Sequence, residues 1–169
     1  MHGRTTAFPL PTAPPATSRS RRTLPLARLA GRVPIGLGTD WTVTNNSMDL
    51  LAEARLAALI GKMKADDPTV LDVRQMVRML TIDGARALGI DRLTGSIEPG
   101  KRADLAVFDL RRLETAPAHD LASNLIYSIS PRSVRDVLVD GELLVRDGRL
   151  VRENEATLSR TNRRLGSSR

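Results

Sequence analysis

The chain has no cysteine, which excludes disulfides and thiolate metal sites and fits a reducing, cytoplasmic location. Histidine is nearly as scarce. His2 and His119 are the two imidazoles, and no His-x-His or His-x-x-x-His pair exists, whereas a zinc catalyst ordinarily draws three protein ligands and leaves a position for water. Aromatic residues make up 2%, too few to build the base-stacking platforms of a single-strand nucleic-acid binder. No apolar run approaches the roughly 20 residues needed to span a bilayer. Acid is missing from residues 1–32, which carry six arginines.

Basic residues are plentiful, but mostly at the ends. The net charge of +7 comes from residues 1–32 and from residues 152–169, where five arginines face Glu153 and Glu155, while residues 33–151 hold 15 basic and 17 acidic residues. Clustered Lys and Arg release phosphate counterions on binding. Here they sit on low-complexity ends, so no specific nucleic-acid partner is expected. Residues 1–24, with Pro9, Pro11, Pro14 and Pro15, lack apolar periodicity and are expected to be disordered. An Arg- and Ser-rich start also has the composition of a transit peptide, but the prolines oppose the amphipathic helix such peptides form. A second disordered, basic tail is expected over residues 153–169.

Between the tails the pattern changes. Leu26 and Leu29 fit a short helix stopped by Gly31, and residues 33–37 form a brief apolar run of the kind that makes a strand buried on both faces. Asn46 or Ser47 is expected to cap the next helix, whose buried stripe would comprise Leu50, Ala54, Ala57 and Ala58, with Met48 and Leu51 beside it. Asp66-Asp67-Pro68 breaks the chain. A helix over residues 72–80 with Val73, Met76, Val77 and Leu80 on one face then leads to a second over residues 82–88, capped by Thr81 and ended by Gly89. This pair does not read as a DNA-binding helix-turn-helix, because Asp83 and Gly84 open the second helix and Arg86 is its one base. Residues 103–108 and 134–139 read as strands, and Asp140-Gly141 and Asp147-Gly148 as two tight turns of a small antiparallel unit.

One carboxylate stands out. Asp40 follows the apolar run, where a parallel strand would end, the face on which barrel and open-sheet enzymes assemble active sites. A carboxylate there can ligate a divalent metal, accept a proton from water, or cap the following loop. Gly36-Leu37-Gly38 does not make a dinucleotide fingerprint, since Trp41 occupies the third glycine position. Asp66 and Asp67 read as a helix boundary; Ser47, Ser128 and Ser130 lack a nearby base; His119 reads as a surface group; Lys101 and Arg102 form a basic turn open to an anion.

Three stretches then carry a resemblance: Val33-Pro34-Ile35-Gly36-Leu37-Gly38-Thr39-Asp40 with Asn45-Asn46; Thr81-Ile82-Asp83-Gly84-Ala85-Arg86-Ala87-Leu88-Gly89; and Gly95-Ser96-Ile97-Glu98-Pro99-Gly100-Lys101-Arg102-Ala103-Asp104-Leu105. In this order and spacing, residues 26–151 resemble the C-terminal part of an amidohydrolase-superfamily enzyme, of the metal-dependent deaminase and chlorohydrolase branch. The resemblance implies an α/β fold: the end of a (β/α)8 barrel over residues 25–94 and a portion of a small antiparallel β-sandwich over residues 95–152. It implies that Asp40 is both metal ligand (Zn or Fe) and proton shuttle, with Trp41, Asn45 and Asn46 on the substrate-pocket loop. The substrate would be a small aminated or halogenated heterocycle, an aminopurine nucleoside or a triazine, hydrolysed by metal-activated water.

Departures bear on activity. The histidines and the glutamate that the family brings from earlier strands are missing from this chain, and Trp41 replaces the small residue that usually follows the aspartate. The expectation is a fragment inactive by itself. The alternative reading is a non-catalytic remnant or association module built on the β unit, with no membrane partner and with self-association left open.

Overall fold

The computed structural model describes residues 25–40, 46–111, 113–116 and 119–153. Five helices, α1 (Leu26–Leu29), α2 (Leu50–Ala65), α3 (Val73–Leu80), α4 (Ile82–Leu88) and α5 (Leu121–Tyr127), accompany four strands, β1 (Leu105–Phe108), β2 (Val134–Val139), β3 (Glu142–Arg146) and β4 (Arg149–Leu150). The expected tails, residues 1–24 and nearly all of 153–169, lie outside the described residues.

The cap of α2 is Asp49 rather than Asn46 or Ser47. Its carboxylate accepts hydrogen bonds from Leu51 N at 3.1 Å and Ala52 N at 3.0 Å, and Ser47 Oγ accepts one from Asp49 N. A negative charge meets the helix N-terminus better than a neutral oxygen does. Starting the helix at Leu50 leaves Met48 outside it and largely exposed. Ala54, Ala57 and Ala58 are buried as expected, while Leu50 and Leu51 are half-buried. Leu56, Leu59 and Met63 stay exposed. The helix ends at Asp66 in left-handed backbone, and Lys62 Nζ crosses to the carbonyls of Pro68 and Val70.

The chain then reaches Leu71, which is 1% exposed yet has φ +50°. Left-handed backbone costs a non-glycine residue roughly 1–2 kcal/mol, and complete burial of the leucine side chain, about 1.5–3 kcal/mol, offsets it. Leu71 lies over Gly61, where a Cβ would come 2.2 Å from Leu71 Cδ1. A capping box then starts α3: Asp72 Oδ1 accepts from Gln75 N and Gln75 Oε1 from Asp72 N. Thr81 stands at the N-cap of α4 as expected, its carbonyl accepting from Ala85 N, but its hydroxyl makes no capping bond and donates back to Val77 O at 2.7 Å. Asp83, in the first turn of α4, binds Arg78 through both oxygens and also Arg86. The base of α4 is therefore committed to a neighbour on its own helix.

The core is built mainly from helices, with Leu26, Ala54, Ala57, Ala58, Met76, Met79 and Ile126 joined by Ile35 and Leu71 from the connecting segments. Alanines on α2 let α1 and α5 approach closely. Arg55 ties α2 to the end of α5, with Nε donating to Ile126 O at 3.0 Å and Nη2 to Ile129 O at 2.9 Å. The Ile126 carbonyl belongs to the last turn of α5 and the Ile129 carbonyl lies just beyond it, so the guanidinium meets the negative end of the helix and bonds both.

The strands form one antiparallel sheet in sequence order. Both Asp-Gly turns have positive φ at their two residues, 51° and 81° at Asp140-Gly141, 50° and 73° at Asp147-Gly148, as two-residue hairpins matching strand twist require. β1 begins at Leu105, not at residue 103. Ala103 O and the Asp104 carboxylate are taken by Gly141 N and Asp140 N of the β2–β3 turn. The expected parallel strand at residues 33–37 pairs with no other strand among the described residues; an apolar run becomes a strand only where a neighbour supplies the ladder.

Candidate active site around Asp40

Residues 34–40 run without regular structure past the start of α4, and two glycines set how close they come. A Cβ on Gly36 would lie 3.0 Å from Gly84 Cα, and one on Gly84 would lie 3.0 Å from Met79 O and 3.6 Å from Gly36 Cα. Backbone thus meets backbone where the segment crosses α4. Gly95 brings the following loop against the same helix, since its Cβ would meet Ala85 Cβ at 2.6 Å. Ile35, buried, pins the segment to the helical core.

Asp40 lies four residues beyond the crossing. Its backbone is left-handed, φ 58°, a conformation that Asp enters more readily than most residues, and it is exposed. Thr39 Oγ1 lies 3.4 Å from Asp40 O and 3.7 Å from Met48 Sδ, which relates the carboxylate's peptide to the chain entering α2. Asn46 is exposed at the bend before Asp49. Trp41 and Asn45 lie outside the described residues. Asp40 and Asn46 are thus the described residues on either side of residues 41–45.

The remaining candidates have structural tasks. Asp67 Oδ1 accepts from the hydroxyl and then the amide of Thr69, at 2.6 and 2.8 Å, which holds its carboxyl below the ordinary range. Lys101 folds onto its own loop, Nζ to Ser96 Oγ at 2.5 Å and to Glu98 at 3.5 Å. The Ser96 hydroxyl, then the Lys101 charge, keep Glu98 below its ordinary value. His119 is exposed beside Asp120, the cap of α5. Among the described residues no group of three or more His, Cys, Asp or Glu is placed to hold a metal ion. The donor set around Asp40 therefore does not fit a metal site by itself.

Sequence reasoning missed the Gly36–Gly84 contact and the Arg55 link. In the sequence Gly36 stands in a Gly-x-Gly that fails as a nucleotide fingerprint, and Gly84 opens a helix unsuited to DNA recognition. Their contact joins positions 48 residues apart, and no local pattern encodes it.

The amidohydrolase family model matches residues 12–144, and the chain belongs to the amidohydrolase family. It is 43% identical over 126 residues to a 5-methylthioadenosine/S-adenosylhomocysteine deaminase of Thermodesulfovibrio yellowstonii, covering 74% of this chain and 29% of that protein. It is 40% identical over 119 residues to an S-triazine hydrolase of Gordonia rubripertincta, covering 70% and 25%. A zinc-bound adenosine deaminase from Xanthomonas campestris superposes with a TM-score of 0.82 at 38% identity, covering 85% of this chain and 33% of that one. The chain thus spans about a quarter to a third of the length of these relatives.

Proposed function

We propose that this chain carries the Asp40 portion of a hydrolase that acts on non-peptide carbon–nitrogen bonds, with an aminopurine nucleoside or a triazine as substrate. The named activities of its relatives, adenosine-type deaminases and a triazine hydrolase, support the substrate class. The observation that carries the assignment of Asp40 is its placement: an exposed carboxylate on a segment anchored by Ile35 and by the Gly36–Gly84 contact. Such a group takes the proton that water loses on attacking the amine-bearing ring carbon and returns it to the departing nitrogen, so that ammonia leaves and a carbonyl remains. Asn46, with Trp41 and Asn45, would border the pocket. In the same reading residues 25–94 form the end of a barrel and residues 95–152 the β portion, with α5 folded back onto α2 and α3.

One carboxylate is not a metal site, so the 169-residue chain alone is expected to be inactive. Incubation with zinc and with 5-methylthioadenosine or a triazine should release no ammonia above background; enzyme-like turnover would contradict this. Asp40 itself is tested in a chimera in which residues 26–151 replace the matching segment of the Thermodesulfovibrio yellowstonii deaminase. The chimera should deaminate, and Asp40→Asn should lower its rate by about 10²–10⁴-fold, the usual scale for a general acid–base group. An Asp40→Asn chimera of undiminished rate would remove Asp40 from the chemistry.

A further inference from the structure

The sequence holds three Asp-Gly pairs, Asp83-Gly84, Asp140-Gly141 and Asp147-Gly148. Such a pair is chemically labile in a flexible chain, because glycine leaves the backbone free to bring its nitrogen onto the aspartyl side chain. The glycine nitrogen, its proton passed to solvent, attacks Cγ; a C–N bond closes a five-membered succinimide while the C–O bond breaks and water leaves. Water then adds to either ring carbonyl and reopens the ring to aspartyl or to isoaspartyl, which has one more carbon in the backbone. Both turn pairs are exposed, yet the same clamp closes on each. In the β2–β3 turn Asp140 N donates to the Asp104 carboxylate at 2.7 Å and Gly141 N to Ala103 O at 3.1 Å. In the β3–β4 turn Asp147 N donates to the Asp136 carboxylate at 3.1 Å and Gly148 N to Arg135 O at 2.8 Å. Twice, then, an Xaa-Asp pair at or beside the start of the preceding strand holds both amides of an Asp-Gly turn.

We infer that Asp140-Gly141 and Asp147-Gly148 are latent isoaspartyl sites, kept closed in the folded sheet by Asp104 and Asp136. Cyclisation needs the glycine nitrogen stripped of its hydrogen and the Asp-Gly peptide swung onto the aspartyl side chain. A carbonyl that accepts that hydrogen opposes the first; the bond from the aspartyl amide to a carboxylate, made on the other side of the same residue, opposes the second. The reaction therefore runs from the locally opened turn. Asp83 is held differently: its carboxylate binds Arg78 and Arg86 and its peptide lies within α4, so neither clamp touches it and it serves as the reference site. The consequence of modification is a change of register. An isoaspartyl residue lengthens a two-residue turn by one backbone atom, and cross-strand pairing accepts no half step. The inference is independent of the role of Asp40.

Incubation of the full 169-residue chain in water enriched in heavy oxygen tests it, because each succinimide that reopens retains one heavy oxygen and the tryptic peptides ending at Arg86, Arg146 and Arg149 carry one site each. Label at Asp140 and Asp147, read by mass spectrometry, should accumulate at least about tenfold more slowly in the folded chain than in urea. Asp136→Ala should raise the rate at Asp147 alone and Asp104→Ala the rate at Asp140 alone, each by about 10–100-fold, the weight of one hydrogen bond to a charged acceptor in the opening equilibrium. Asp136→Asn and Asp104→Asn, which keep an oxygen acceptor, should stay well below the alanine variants. Turns that age as fast folded as in urea, an alanine variant that speeds both turns alike with Asp83 unlabelled, or one that speeds neither, overturns the inference. Should an alanine variant unfold, label appears at Asp83 too, and hydrogen exchange of the unaltered chain decides: Gly141 and Gly148 amides that exchange as fast as in urea overturn it.

Discussion

Replacing Gly36 by alanine tests whether the Gly36–Gly84 crossing sets the path of the Asp40 segment. The new methyl would stand 3.0 Å from Gly84 Cα, 3.8 Å from its carbonyl oxygen and 3.9 Å from its carbonyl carbon. All are backbone atoms, which cannot rotate away, so relief requires the segment and α4 to separate. Overpacking of this kind costs about 1–3 kcal/mol. Gly36 is outside the positive-φ region, so alanine fits its backbone, and stiffening of the unfolded chain returns about 0.4–1 kcal/mol. The net loss is about 0–2.6 kcal/mol, or up to about 10 °C in Tm for a chain of this length. Gly38 is the internal control: it also avoids positive φ, and a Cβ there meets nothing within 4 Å, so Gly38→Ala should be neutral or stabilise by up to about 1 kcal/mol. Denaturant and thermal unfolding followed by circular dichroism give both numbers. Equal stability of the two variants would refute the argument, as would no amide shift at Asp40 in Gly36→Ala.

Arg55→Met retains the apolar stem and loses both bonds to the end of α5, so about 1.5–3 kcal/mol of stability should be lost, with faster hydrogen exchange of α5 amides; unchanged exchange there would count against the link. Acid should weaken the β3–β4 hairpin. The Arg135 side chain, then the Asp147 amide, hold the Asp136 carboxyl below its ordinary 3.8; with the folded value lower than the unfolded one, the stabilisation is complete above about pH 4 and lost as pH falls through the folded value. Asp136→Asn should flatten that acid limb in a pH titration of Tm, and an unaltered limb would show that other carboxylates govern it.

The sequence is legible where the physics is local. Gly89 ends α4 with φ 73°, Leu88 is its last residue as expected, and both Asp-Gly pairs make the anticipated turns because a two-residue hairpin demands positive φ at both positions. The β2 bounds also agree with the alternation of residues 134–139. Choices between adjacent candidates were less legible: Asn46, Ser47 and Asp49 are all competent caps, and the carboxylate prevailed through its charge. The strand expected at residues 33–37 needs a ladder partner, which composition cannot announce. For the site, Asp40 was marked by its position after an apolar run, whereas the glycine crossing behind it depends on a tertiary contact.

Leu71 and Gly61 carry a consequence for how this sequence can drift. Any side chain at position 61 collides with Leu71, and a smaller residue at position 71 relieves the collision only by surrendering buried leucine. Glycine at 71 would relax the left-handed backbone but leave a hole against α2. A side chain at 61 is therefore admitted only as far as Leu71 can turn its Cδ1 aside within a filled core, and homologous sequences that differ at 61 should repack position 71.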